Sequence, residues 1–244
     1  MTRKYNGNCR KCNGCCNPPG GGYRRAGDGG GRTGLVDERR TGKWQAIVEG
    51  ATRVFGQEGY ARAGIDAIAQ EAGVSTRTIY NHFPGGKAEL FRTVLLEGSR
   101  RVVQAQVDAI DRRLHKVTDL EADLAAFARA WQEPKSLHPE HFAVVRQMQA
   151  EAGRLPSGFL ETWRANGPDR SRAALAERFR ELAEEGWFEA PDPEQAALHF
   201  LLLTGTEIGS RTHHGAVPLP EAEREALIAG GVRTFLYGHL PRGT

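Results

Sequence analysis

Between Thr76 and His82 six hydrogen-bonding side chains, Thr76, Arg77, Thr78, Tyr80, Asn81 and His82, surround a single apolar residue, Ile79. All six can donate hydrogen bonds, none is a carboxylate, and the Arg77 guanidinium is a planar fork that matches paired acceptors. Such a set suits recognition of an acceptor-rich, negatively charged surface better than it suits bond making. The other reactive groups form no catalytic constellation. The run Cys9, Cys12, Cys15, Cys16 puts four thiols within eight residues. Structural zinc sites instead join two separated ligand pairs, and ferredoxin-type clusters need three residues before the fourth cysteine. The pairs His213-His214 and His138/His141 read as loop histidines. No Gly-x-Ser-x-Gly, Walker loop or His-Glu-x-x-His is present, and the glycines at 20–22 and 29–31 lack the strand and helix of a dinucleotide site. No metal, cofactor or enzymatic activity is expected.

The elements that must hold the hydrogen-bonding set are legible on either side of it. Ile65, Ile68, Ala69 and Ala72 fall at i, i+3, i+4 and i+7, one face of a short amphipathic helix. Gly73 is suited to the left-handed residue that ends a helix. Ser75 stands where an N-cap is wanted. A helix, a glycine turn and a second helix is the helix-turn-helix spacing, in which the second helix presents its first turns to base edges in the major groove. Any helical hairpin uses the same punctuation, so spacing alone leaves a plain structural hairpin open.

The wording of the segment goes further. Gly59-Tyr60, Ile68-Ala69, Ala72-Gly73-Val74-Ser75, Ile79-Tyr80-Asn81-His82-Phe83-Pro84 and Lys87-Ala88-Glu89-Leu90 resemble the DNA-binding domain of the tetracycline-repressor (TetR) family over about Lys43 to Phe91. The resemblance implies an all-α chain: a three-helix reading head ahead of a larger helical domain that binds a small-molecule effector and dimerises through its last two helices. It implies double-stranded DNA, as a palindromic operator, as the partner. Carried over, Ser75 caps the reading helix, Thr76, Arg77 and Thr78 face bases, and Tyr80, Asn81, His82 and Lys87 reach phosphates. Two departures stand out. Ala63 and Gly64 occupy positions where the family usually has Thr or Ser, and Phe83-Pro84-Gly85-Gly86-Lys87 holds one extra glycine, which shifts Lys87.

Around this head the chain divides, by expectation, into a Gly/Cys-rich basic tail (1–40), the head (41–86) and a helical body (87–240). Met1 to Arg40 holds nine Lys or Arg against three acids, a net +6, which leaves the rest of the chain at −3. The body is therefore no general polyanion binder, and DNA binding must rest on a local patch. The tail has too little apolar surface to fold, and Val36, if encoded by GTG, is an alternative start. Helix one is expected over Lys43–Gln57, with Ile47, Ala51, Val54 and Phe55 inward and Gly59 at its end. A long helix from Lys87 ties the head, through Leu90, Val94 and Leu95, to the body. Thr118 opens the next helix with a capping box, and Asp192-Pro193 opens the penultimate one. Gly205 and Gly209, four apart, suit close helix approach. The aromatics Phe127, Trp131, Phe142, Phe159, Trp163 and Phe179 are the candidate lining of an effector cavity. No apolar run is long enough to span a membrane and no secretory signal is evident, so a cytoplasmic location is expected. The expected function is a homodimeric repressor released from DNA by an effector. The rivals are a metal or redox sensor using the tail cysteines, and a helical enzyme with a vestigial head.

Overall fold

In the computed structural model residues 31–239 are described, with side chains from Thr41 onward. The tail cysteines and the basic run before Gly31 lie outside the described residues. The chain divides into two compact units, Met1–Glu38 and Arg39–Thr244, and the account below concerns the second. Among the described residues there are eleven α-helices, one 3₁₀ turn and no strand. They are α1 (Gly31–Arg62), α2 (Ile65–Glu71), α3 (Thr76–His82), α4 (Gly86–Leu114), α5 (Leu120–Gln132), α6 (Pro134–Leu137), α7 (Pro139–Ala150), α8 (Phe159–Asn166), α9 (Pro168–Glu184), α10 (Pro193–Arg211) and α11 (Glu221–His239). The expected all-α class is the observed one.

Helix α1 begins at Gly31, inside the stretch expected to be tail. No proline interrupts Arg32–Arg40, and Leu35, Glu38, Arg39 and Arg40 are good helix formers. At the other end Gly59 takes φ +79°, a left-handed value that a residue with a Cβ reaches only at a cost. The capping box before α5 is displaced by one residue. Asp119, not Thr118, is the N-cap and accepts from the Ala122 amide, while Asp123 reaches back to the Thr118 and Asp119 amides.

Two hydrophobic clusters organise the unit. One joins α4, α5, α9, α10 and α11 around Phe127, Phe179, Phe188, Phe200 and Phe235, all 2 % exposed or less. The other joins α1, α2, α3 and the first half of α4 around Ile47, Phe55, Ile68, Ile79, Leu90 and Phe91. This second cluster also takes in Val144, Val145 and Met148 of α7 and Phe159 of α8. The long helix is thus not the only direct link between head and body, and α7 and α8 are packed into the same core. Within one subunit Gly205 and Gly209 face elements other than α11. A Cβ on Gly205 would meet the Gln132 side chain, and one on Gly209 would face His214 and Lys135. The close approach of α10 and α11 occurs at Gly231, where a Cβ would come within 2.3 Å of the Leu203 carbonyl oxygen.

Candidate nucleic-acid interface and body cavity

The reading surface is built from α2, the turn after it and α3. Gly73 holds φ +64° in that turn. Ser75 is the N-cap of α3: its hydroxyl accepts from the Thr78 amide at 3.1 Å and lies 2.8 Å from the Thr78 hydroxyl. Ile79 is fully buried and fixes the rotation of α3 on the head. That rotation leaves Arg77, Tyr80 and Asn81 exposed, with Thr76, Thr78 and His82 half-buried beside them. Arg77 makes no ion pair or side-chain hydrogen bond within the described residues, so its fork is available. The N-cap of α2, Gly64, offers no side-chain cap, the consequence of the missing hydroxyl at positions 63 and 64. Arg53 pairs with Glu71 and ties α1 to the end of α2.

Lys87 is placed differently from the expectation of a free phosphate contact. Its ammonium donates to the carbonyls of Ala61 (3.3 Å) and Ala63 (3.1 Å) and lies 4.9 Å from the centre of the Tyr60 ring. It closes the carbonyl end of α1, where a cation is favoured. The extra glycine supplies the geometry: Gly86 takes φ +63°, and Glu89 receives the Gly85 amide at 2.7 Å.

The six aromatics expected around a body cavity divide into three groups. Trp131, Phe142 and Trp163 line one cavity of about 270 Å³. Phe127 and Phe179 lie in the solid body core, 5.7 and 5.5 Å from Phe200 in ring-centre distance. Phe159 belongs to the head core, 5.5 Å from Phe91 and 6.3 Å from Tyr60. Helical spacing reveals that an aromatic is buried; it does not reveal against what. The cavity also takes residues that aromatic content could not flag, among them Ser99, Gln106, Lys135, His141, Arg172 and His214.

Buried polar atoms concentrate around this cavity. Ser99 Oγ, Ser171 Oγ and His141 Nδ1 are the described buried side-chain atoms with no hydrogen-bond partner, and Ser99 and His141 line it. His141 packs against bare backbone on α4, since a Cβ on Gly98 would fall 2.0 Å from its Nδ1. Burial first, then the charges of His138 and Arg101, push its pKa down to about 4. The same imidazole faces a second cleft, of about 330 Å³, between α1, α4 and α7. Burial likewise lowers the Lys135 pKa. Among the described residues no group of three or more His, Cys, Asp and Glu is placed to hold a metal, and no helix is long and apolar enough to cross a membrane.

A rigid helix-turn-helix head with an exposed arginine in the first turn of its second helix, joined to a larger helical body, defines a DNA-binding transcription regulator. Comparison with known proteins gives the family. Residues 47–94 match the profile of bacterial regulatory proteins of the tetR family, and residues 122–238 that of the AefR-like transcriptional repressor C-terminal domain. The chain belongs to the TetR family. It is 27 % identical over 143 residues to the regulator HbdR of Aromatoleum sp. (strain CIB), covering 54 % of this chain and 61 % of that one. It is 25 % identical over 183 residues to the regulator LmrA of Bacillus subtilis (strain 168), covering 72 % and 89 %. Among solved structures, one described as a TetR-family transcriptional regulator from Mesorhizobium loti aligns at TM-score 0.73 with 26 % identity, covering 83 % of this chain and 99 % of that one. The flavonoid-responsive regulator FrrA aligns at 0.60 with 30 % identity, covering 82 % and 98 %.

Proposed function

We propose that the protein is a cytoplasmic homodimeric repressor that binds a palindromic operator through one head (41–86) per subunit and leaves it when a small molecule occupies the body (87–240). The observation that carries this reading is the free Arg77 fork on a capped helix whose rotation Ile79 fixes. Thr76, Arg77 and Thr78 enter the major groove, where an arginine paired with guanine O6 and N7 is worth ~1–3 kcal/mol of discrimination. Tyr80, Asn81 and His82 face phosphates. Lys87 supports them by bracing the Ala61 and Ala63 carbonyls at the end of α1.

Pairing of subunits is supported by α10 and α11, where Leu198, Leu202, Leu203 and Tyr237 are 39, 50, 41 and 82 % exposed. Single reading heads need such pairing because half-sites lie about 34–36 Å apart. A ligand in the cavity touches Val102 of α4 and Val145 of α7, and both helices are packed into the head core. Its occupation therefore turns the head relative to the dimer face and spoils the spacing. Moving the population from 1:99 to 99:1 takes ~5.5 kcal/mol of differential affinity.

Footprinting on the DNA flanking its own gene tests the reading, with half-site and full-site affinities measured with and without an effector found by screening. Protection of a two-fold-symmetric site is expected, and the effector should weaken full-site binding far more than half-site binding. Equal weakening of both would show that the ligand disturbs the head itself.

A further inference from the structure

The ligand reading above leaves the chemical class of the ligand open, and the cavity wall narrows it. The aromatic faces of Trp131, Phe142 and Trp163 make much of the lining apolar and flat. The cavity, of about 270 Å³, lies at the small end of the ~300–1,000 Å³ range of small-molecule sites, which favours a one- or two-ring aromatic.

One part of the wall has a different character. Lys135 and His214 converge beside Gly209: a Cβ there would lie 3.6 Å from His214 Nδ1 and 4.0 Å from Lys135 Nζ. Arg146 donates to the His214 carbonyl at 3.2 Å, bringing a second cation beside Lys135, while burial and then the charges of Lys135, Arg146 and His213 lower the His214 pKa and favour its neutral ring. Neither Lys135, Arg146 nor His214 forms an ion pair with a described residue, in a body otherwise laced with Arg–Glu pairs. The half-buried ammonium of Lys135 makes one hydrogen bond, to Gln132 Oε1 at 2.7 Å, and has three donors to satisfy. His213 and His214 hold φ of 46° and 54°, a left-handed pair that non-glycine residues adopt at a cost and that recurs at functional sites. Ser99 Oγ, 2 % exposed and unpartnered, adds a buried hydroxyl on the α4 wall.

We infer that the cavity binds a compact aromatic carboxylate, its ring among Trp131, Phe142 and Trp163 and its carboxylate on Lys135 beside His214. A carboxylate supplies the missing counter-charge and accepts from the donors Lys135 leaves open. A neutral ring system of the same shape leaves that ammonium partly desolvated and without a counter-charge, a cost that discriminates against it. The larger cleft of about 510 Å³ that Lys135 also lines is a weaker candidate, because its charged lining includes Arg129, already paired with Glu225 at 3.0 Å.

The test uses the full chain and two probes of nearly equal shape, 1-naphthoate and its methyl ester, titrated by calorimetry and by quenching of tryptophan fluorescence. The acid is expected to bind at least about tenfold more tightly than the ester. Lys135→Met should abolish that preference by weakening the acid alone, and Lys135→Arg should keep it. Equal or tighter binding of the ester, failure of the acid to bind up to millimolar concentration, or an unchanged preference in Lys135→Met with a native melting curve would each overturn the inference. Operator binding is measured separately. Acid that binds through Lys135 without releasing DNA would sink the effector reading and leave the ligand class standing. An effector that releases DNA equally well from wild type and Lys135→Met would do the reverse.

Discussion

The head core and the layer just behind it are built to opposite specifications. In the head, Phe55, Tyr60, Phe91 and Phe159 stack on one another with ring centres 4.8 to 6.5 Å apart, and no buried polar side-chain atom there lacks a partner. A few residues along α4, around Gly98 and Ser99, the packing changes to cavities with orphaned hydroxyl and imidazole atoms. A close-packed region resists deformation, whereas unfilled space and unmet hydrogen bonds leave stabilisation for a ligand to supply. The reading surface is thus held rigidly, and the adjustable region sits where α4 and α7 leave the head.

Truncating one aromatic on each side gives the largest contrast. Phe91→Ala removes a fully buried ring from the head stack and should cost ~3–5 kcal/mol, with loss of DNA binding. Phe142→Ala, in the wall of a cavity that already exists, should cost well under half as much. Urea melts of the two variants check this, and equal costs would mean that the cavity layer is as tightly packed as the head.

What the sequence makes legible follows from the same contrast. Periodicity and capping are local signals, so Ser75 on α3, Asp192 on α10 and the inward faces of Ile47, Phe55, Leu90 and Val94 could be read directly. Whether Phe159 faces a ligand or Phe91, and whether Lys87 faces phosphate or the Ala61 and Ala63 carbonyls, depends on contacts between elements far apart in the chain, which no local pattern encodes. Lys135 and His214 were illegible for the same reason: a lone lysine after Pro134 and a loop histidine become a site only when α6 and the α10–α11 loop meet at Gly209.

The adjustable layer should also be the acid-sensitive one. His141 has a folded pKa of about 4 against 6.5 in the free side chain, so the unfolded chain binds the extra proton between those values. Stability is therefore intact above about pH 6.5 and is lost as pH falls toward 4, by at most ~3 kcal/mol. Melting temperatures at pH 7.5 and 5 for wild type and His141→Leu should show a smaller acid loss in the variant. Identical losses would place the sensitivity elsewhere.

On the rigid side, effects on DNA should separate by residue. Arg77→Ala should cost ~1–3 kcal/mol at one operator position per half-site and spare random DNA. Lys87→Met should weaken operator and random DNA alike while lowering the head's stability. If bracing is its main role, the salt slope should stay within a fraction of a unit; a slope reduced by about one would make Lys87 a phosphate ligand after all.

The smallest effect concerns the joint between the two regions. Glu151, at the end of α7, accepts the Ala61 amide at 2.9 Å through Oε2, and its other oxygen lies where a Cβ on Gly59 would fall. A single, largely exposed hydrogen bond to a carboxylate contributes little to folding, so Glu151→Ala should lower stability by ~1 kcal/mol or less. Its larger consequence should be for coupling. Helix α7 borders the cavity through Phe142 and Val145 and touches the head through Val144 and Met148, and this bond fastens its far end to the α1 terminus that Lys87 also holds. Glu151→Ala should leave operator affinity without ligand within about threefold, a change of ~0.7 kcal/mol or less, and reduce the factor by which an effector weakens operator binding. Paired binding curves with and without that effector measure the factor directly. If it is unchanged while the head still folds, α4 alone carries the signal, and the contact of α7 with the head core is packing without a part in the switch.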